Sequence, residues 1–95
     1  MQAWTVHKFG GSSVADAECL TRVATIIESQ RQERVAVVLS ACKGVTDSLL
    51  RLVALAEMQD DAWRSELAAL RARHEGIART LLPPASVVEY LAEFD

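Results

Sequence analysis

At 95 residues, 51% hydrophobic, 24% charged and with a net charge of −3, the chain has the makeup of a globular protein with room for one small core. Its ten Lys and Arg residues form no stripe, which argues against nucleic acid or an anionic membrane surface as partner. No apolar run approaches the ~20 residues of a membrane span, and Met1 leads into polar and strand-like sequence rather than a signal peptide, so a cytoplasmic location is expected.

Residues 3–8 read as a short strand, with Trp4, Val6 and His7 suited to a pleated surface, and the strand ends in Gly10-Gly11-Ser12-Ser13. From about Asp16, the residues Ala17, Leu20, Val23, Ala24 and Ile27 recur at three- and four-residue spacing. This predicts an amphipathic helix ending near Gln30. Val35 to Leu39 is a continuous apolar run between Arg34 and Ser40, the pattern of a strand buried on both faces. Strand, helix and strand in this order imply parallel pairing through a right-handed crossover, with the functional edge at the carboxyl ends of the strands.

Thr46 is placed to cap a second helix running to about Met58, whose leucines and valines go so far round its circumference that it should be largely buried. Asp60 and Asp61 break the chain. A third helix then carries Trp63, Leu67, Leu70, His74, Ile77 and Leu81 as a narrow stripe suited to packing on another helix. Pro83-Pro84 stops it, and Ser86 with Glu89 forms a capping-box pattern for a fourth helix through Tyr90 and Leu91. The two strands have open edges, so the rest of a sheet is expected beyond them.

Two stretches have the makeup of binding loops. In Lys8-Phe9-Gly10-Gly11-Ser12-Ser13, two bare glycines let the backbone approach an anion, the serines offer hydroxyl donors, and Lys8 supplies a full positive charge. The helix that follows is expected to turn its N-terminus toward the same anion. Such an arrangement suits charge growing on phosphoryl oxygens. An ordinary strand-to-helix turn with a solvated lysine has the same residues, and on these alone both readings stay open. The loop fits neither the Walker pattern nor the dinucleotide glycine pattern.

In Ser40-Ala41-Cys42-Lys43-Gly44-Val45-Thr46-Asp47, the hydroxyls of Ser40 and Thr46 and a helix start could hold a small carboxylate, or Thr46 could simply cap its helix. Cys19 and Cys42 match no metal-ligand spacing and read as free thiols. His7 and His74 read as ordinary strand and helix residues, and no residue is assigned to a metal.

The run from Lys8 to Val14, Lys-Phe-Gly-Gly-Ser-Ser-Val, resembles the N-terminal signature of aspartokinases in the amino-acid kinase superfamily. Val38-Leu39-Ser40-Ala41 and then Gly44-Val45-Thr46-Asp47 follow at the distance and in the strand-to-helix setting the family shows. The helices after Met58 match only in general character. The resemblance implies the N-terminal part of a three-layer α/β/α amino-acid kinase fold, with parallel strands in a β-α-β phosphate-binding start over 1–45, a helical excursion over 46–95 and the remainder of the domain absent. It implies ATP-dependent phosphorylation of the side-chain carboxylate of L-aspartate to 4-phospho-L-aspartate, the entry to lysine, threonine and methionine synthesis.

By the same resemblance, Lys8 neutralises the transferred phosphoryl group. Lys8, Phe9, Gly10, Gly11 and Ser12 hold the ATP phosphates, Ser40 and Thr46 contact aspartate, Mg²⁺ arrives with the nucleotide, and the full-length enzyme is a homo-oligomer. Lys43 and Cys42 receive no role. The family's acidic residue for the substrate amino group and its later nucleotide loops are not in the sequence, so the chain alone is expected to lack kinase activity. Two alternatives remain: a superfamily kinase of the glutamate kinase type, against which Phe9 and Ser12-Ser13-Val14 argue, and a noncatalytic helical interaction fragment.

Overall fold

A computed structural model describes residues 3–30 and 33–95. Met1, and with it the expectation about a signal peptide, lies outside the described residues. The chain forms two compact units, Met1–Lys43 and Gly44–Asp95.

In the first unit, strand β1 (Thr5–Phe9) starts later than the expected Ala3 and runs one residue beyond Lys8. It pairs in parallel with β2 (Val35–Leu39), in a register that sets Thr5 beside Val35 and Phe9 beside Leu39. Parallel strands need a crossover, which helix α1 (Ala17–Ser29) supplies. Alternation along β1 leaves Thr5, His7 and Phe9 half-buried and Val6 and Lys8 exposed. The His7 ring stacks on Phe9, with centroids 6.4 Å apart, and its Nε2 is buried without a hydrogen-bond partner.

The expectation that β2 is buried on both faces does not hold. Val37, Val38 and Leu39 are 39%, 48% and 53% exposed. A β-branched run records a preference for cover, and among the described residues the sheet has two strands, too few to shield them.

The second unit is helical. Helix α2 (Val45–Glu57) turns Val45, Ser48, Leu52 and Leu55 inward, and α3 (Trp63–Leu81) packs against it. Leu49, Leu50 and Val53 remain 50%, 65% and 55% exposed, so α2 is not largely buried as its sequence suggests: α3 covers one side only. The expected capping by Thr46 is also corrected. The N-cap is Gly44, at φ 86°, a left-handed conformation that glycine adopts freely; Thr46 lies within the first turn and is exposed.

Helix α4 (Pro84–Phe94) likewise begins ahead of the expected Ser86 capping box. Pro83 forces Leu82 into extended backbone and ends α3, whereas Pro84, with φ preset and no N–H to satisfy, starts the next helix. Leu70 and Ala78 on α3 and Val87 on α4 are buried, and between the two helices the His74 ring meets Phe94 at 5.3 Å. Arg71 clamps the end of α4, with Nε donating to Asp95 Oδ1 at 2.8 Å and Nη2 to Oδ2 at 3.0 Å. The same hydrogen bond holds the Asp95 carboxyl below its ordinary range.

At the end of α2, the Asp60 N–H donates to Leu55 O and the Gln59 N–H to Ala56 O, a Schellman closure that puts Gln59 at φ 56°. Glycine would hold this position without the side-chain penalty. Gln59→Gly is therefore expected to raise stability by up to about 1 kcal/mol, read from the urea midpoint at constant slope. An unchanged midpoint would mean that the glutamine side chain offsets its own strain.

Candidate functional site

Two loops leave the carboxyl ends of the paired strands, the position where open α/β sheets hold ligands. After β1 the chain extends through Gly10 and closes a 3₁₀ turn, Gly11–Val14, anchored by Val14 at 2% exposure. The N–H groups of Gly11 and Ser12 precede any carbonyl this turn can offer them, so they have no partner within it. Ser12 and Ser13 are exposed, as is Lys8. Among the described residues, no carboxylate lies within ion-pairing distance of Lys8.

The loop after β2 lies directly alongside. Ser40 N donates to Phe9 O at 3.0 Å, extending the sheet ladder by one bond, and Lys43 N donates to Gly11 O at 3.1 Å. The two adjacent glycines differ in what surrounds them. A Cβ on Gly11 would sit 3.3 Å from Ala41 O, tighter than ordinary contact, and 3.5 Å from Lys43 Cα, whereas a Cβ on Gly10 would meet nothing within 4 Å. Gly11 is thus crowded by the neighbouring loop. Gly10 has open space above it and a φ of −77° that any residue adopts.

The structure therefore brings Lys8, Phe9, Gly10, Gly11, Ser12 and Ser40 to one strand edge. The Phe9 side chain turns toward α1, lining a small cleft with Ser13, Cys19, Arg22, Val23 and Ile26, so only its main chain faces the loops. Thr46 belongs to the second unit, where the Arg73 guanidinium lies 3.9 Å from the position a Gly44 Cβ would take.

One expectation about this edge is corrected. The 3₁₀ turn separates the glycines from α1, and the N-terminus of α1 is capped by Asp16, whose carboxylate accepts from Cys19 N at 2.8 Å. The positive end of that helix is occupied by its own side chain. Sequence reasoning missed this role for Asp16, although an aspartate just before Ala17, the first of the periodic apolar positions, is the pattern of an N-cap.

The amino acid kinase family model matches residues 3–89, and the chain belongs to that family. Within it, the likeness is to aspartokinases. The chain is 36% identical over 91 residues to a chloroplastic bifunctional aspartokinase/homoserine dehydrogenase 2 of Arabidopsis thaliana, covering 96% of this chain and 10% of that protein. It is 41% identical over 76 residues to an aspartokinase of Chlamydia trachomatis, 80% of this chain and 16% of that one. Against the lysine-sensitive aspartokinase 3 of Escherichia coli it is 46% identical over 66 residues, 70% and 14% of the two chains. The chain thus spans about a tenth of the length of the bifunctional relatives it matches. Among the described residues, no helix is long and apolar enough to cross a membrane.

The hydrogen bond from Cys19 N holds the Asp16 carboxyl below its ordinary 3.8. A depressed carboxyl stabilises the fold above its unfolded pKa and loses that contribution as pH falls through the folded one. Asp16→Ala should therefore destabilise the chain at pH 7, and the difference from wild type should shrink as the pH is lowered below 3.8, measured by urea unfolding. A difference that persists at low pH would assign the effect to packing instead of the charge.

Proposed function

We propose that the chain is the N-terminal, phosphate-gripping part of an aspartokinase, which transfers the γ-phosphoryl group of ATP to the side-chain carboxylate of L-aspartate. The observation that carries this reading is the pairing of the glycine turn with the 40–43 loop at one strand edge, in a chain whose relatives bear the name aspartokinase. The residues present fit a polyphosphate. Gly10 leaves space for close approach, Gly11 and Ser12 have N–H groups free of the turn, and the Ser12 and Ser13 hydroxyls and the Lys8 ammonium are exposed.

In this reaction a carboxylate oxygen of aspartate attacks the γ-phosphorus. The new O–P bond forms as the bond to the β,γ-bridging oxygen breaks, giving 4-phospho-L-aspartate and ADP. The substrate is its own nucleophile, so the protein's part is positioning and charge stabilisation. Lys8, one residue from the end of β1, neutralises charge on the transferred group. The main chain of residues 9–12 holds the phosphates. Ser40 donates to the aspartate, and Thr46 is the second hydroxyl that the likeness to aspartokinases assigns to that substrate. Mg²⁺ bound with the nucleotide supplies further neutralisation of phosphate charge.

In the full-length enzyme, Lys8→Ala is expected to lower kcat by about 10² or more, the scale of losing one preorganised donor, while the KM for aspartate changes little. Turnover near the wild-type value would remove Lys8 from the chemistry. Gly10→Ala tests the phosphate contact separately. Its Cβ meets no protein atom, so thermal stability should be unchanged while the KM for ATP rises by about tenfold. An unaltered KM would mean that the phosphates lie elsewhere.

A further inference from the structure

The 40–43 loop is tied at both of its ends by main-chain hydrogen bonds, to the end of β1 through Ser40 N and Phe9 O at 3.0 Å and to the glycine turn through Lys43 N and Gly11 O at 3.1 Å. Between those ties, a methyl group on Gly11 would come 3.3 Å from Ala41 O, so that the loop would have to shift by a few tenths of an ångström to admit it. Every atom at this junction belongs to main chain. A flexible side chain would yield when its neighbour moved, but two closely set backbones hydrogen-bonded at both ends of a short loop move together.

We infer that Gly11 and the Lys43 amide form a coupler between the two substrate loops. Engagement of a nucleoside triphosphate by the glycine turn sets the position of the 40–43 loop, and with it Ser40, so the amino-acid carboxylate binds more tightly once the nucleotide is in place. The inference rests on the kinase reading above and adds to it a positioning role for Gly11 that is distinct from phosphate contact. It also explains how position 43 matters without its side chain: the amide is used, and any residue except proline provides it. Because coupling between binding sites is reciprocal, aspartate must strengthen nucleotide binding by the same factor.

The test is hydrogen exchange read by mass spectrometry on the full-length enzyme, with and without a non-hydrolysable ATP analogue and in the absence of aspartate. The expected result is slowed exchange in residues 10–13 and also in 40–43. In binding titrations of the native enzyme, the analogue should tighten aspartate binding by about fivefold or more, the lower end of measured site-to-site couplings. In Gly11→Ala that enhancement should be lost, and the slowing in 40–43 with it. Slowing confined to 10–13 would overturn the coupling and leave the kinase reading standing. Slowing in neither segment would overturn both. Should Gly11→Ala fail to fold, the exchange pattern and the binding enhancement of the native enzyme decide the matter alone.

Discussion

The contact between Gly11 and the loop after β2 is the constraint on which the first unit is organised. Parallel pairing of β1 with β2 brings Phe9 level with Leu39, but a sheet register alone does not keep two loops together once the strands end. The bond from Ser40 to Phe9 carries the ladder one step further, and the bond from Lys43 to Gly11 closes the gap across the turn. A side chain at position 11 would push Ala41 O back by a few tenths of an ångström and so strain the tie between the loops. Val14, nearly inaccessible beneath the 3₁₀ turn, fixes the other side of the same bend. The geometry of the edge thus follows from one missing side chain and one buried one.

Such a junction is well defined without being strong. Each main-chain hydrogen bond contributes a net ~1 kcal/mol, and a pair of strands is at the lower limit of what forms a stable sheet. The apolar residues Val6 of β1 and Val38 of β2 are 62% and 48% exposed, so among the described residues the sheet lacks the cover this sequence pattern prefers. The second unit has the same character on α2, where Leu49, Leu50 and Val53 lie opposite the side that α3 covers. Its cohesion comes from a thin apolar seam, Val45, Leu70, Ala78 and Val87, helped by the Arg71 clamp on Asp95. Exposed ion pairs of the latter kind locate a helix end more than they stabilise it.

Much of the fold was legible because periodicity reports directly on local structure. Val35–Leu39, Ala17–Ser29 and Trp63–Leu81 stand close to where their apolar spacing put them. The failures share a cause. Thr46 and Ser86 look like helix caps by residue type, but a cap is decided by backbone geometry: Gly44 reaches the left-handed conformation and Pro84 starts a helix at no cost in N–H bonds. Burial of β2 and α2 was misread because an apolar surface states what it would bury, and only neighbouring elements determine whether it does. At the candidate site, the residue types and the strand edge were readable. The tie between the loops was not, since it runs through main-chain atoms 30 or so positions apart, on which side-chain identity leaves no mark.

The two glycines illustrate why a short motif needs its surroundings before its chemistry can be stated. As letters, Gly10 and Gly11 are interchangeable, and either could be credited with close approach to a phosphate. In the fold one of them faces another loop, and the other faces open space. A glycine that protein atoms already press upon accounts for itself structurally, and its presence says nothing about a ligand. A glycine with no neighbour, an ordinary φ and a position at a strand's carboxyl end has no such internal reason to lack a side chain. Under the kinase reading proposed above, that open space, beside an exposed lysine and two exposed serines, is where the phosphates approach the main chain.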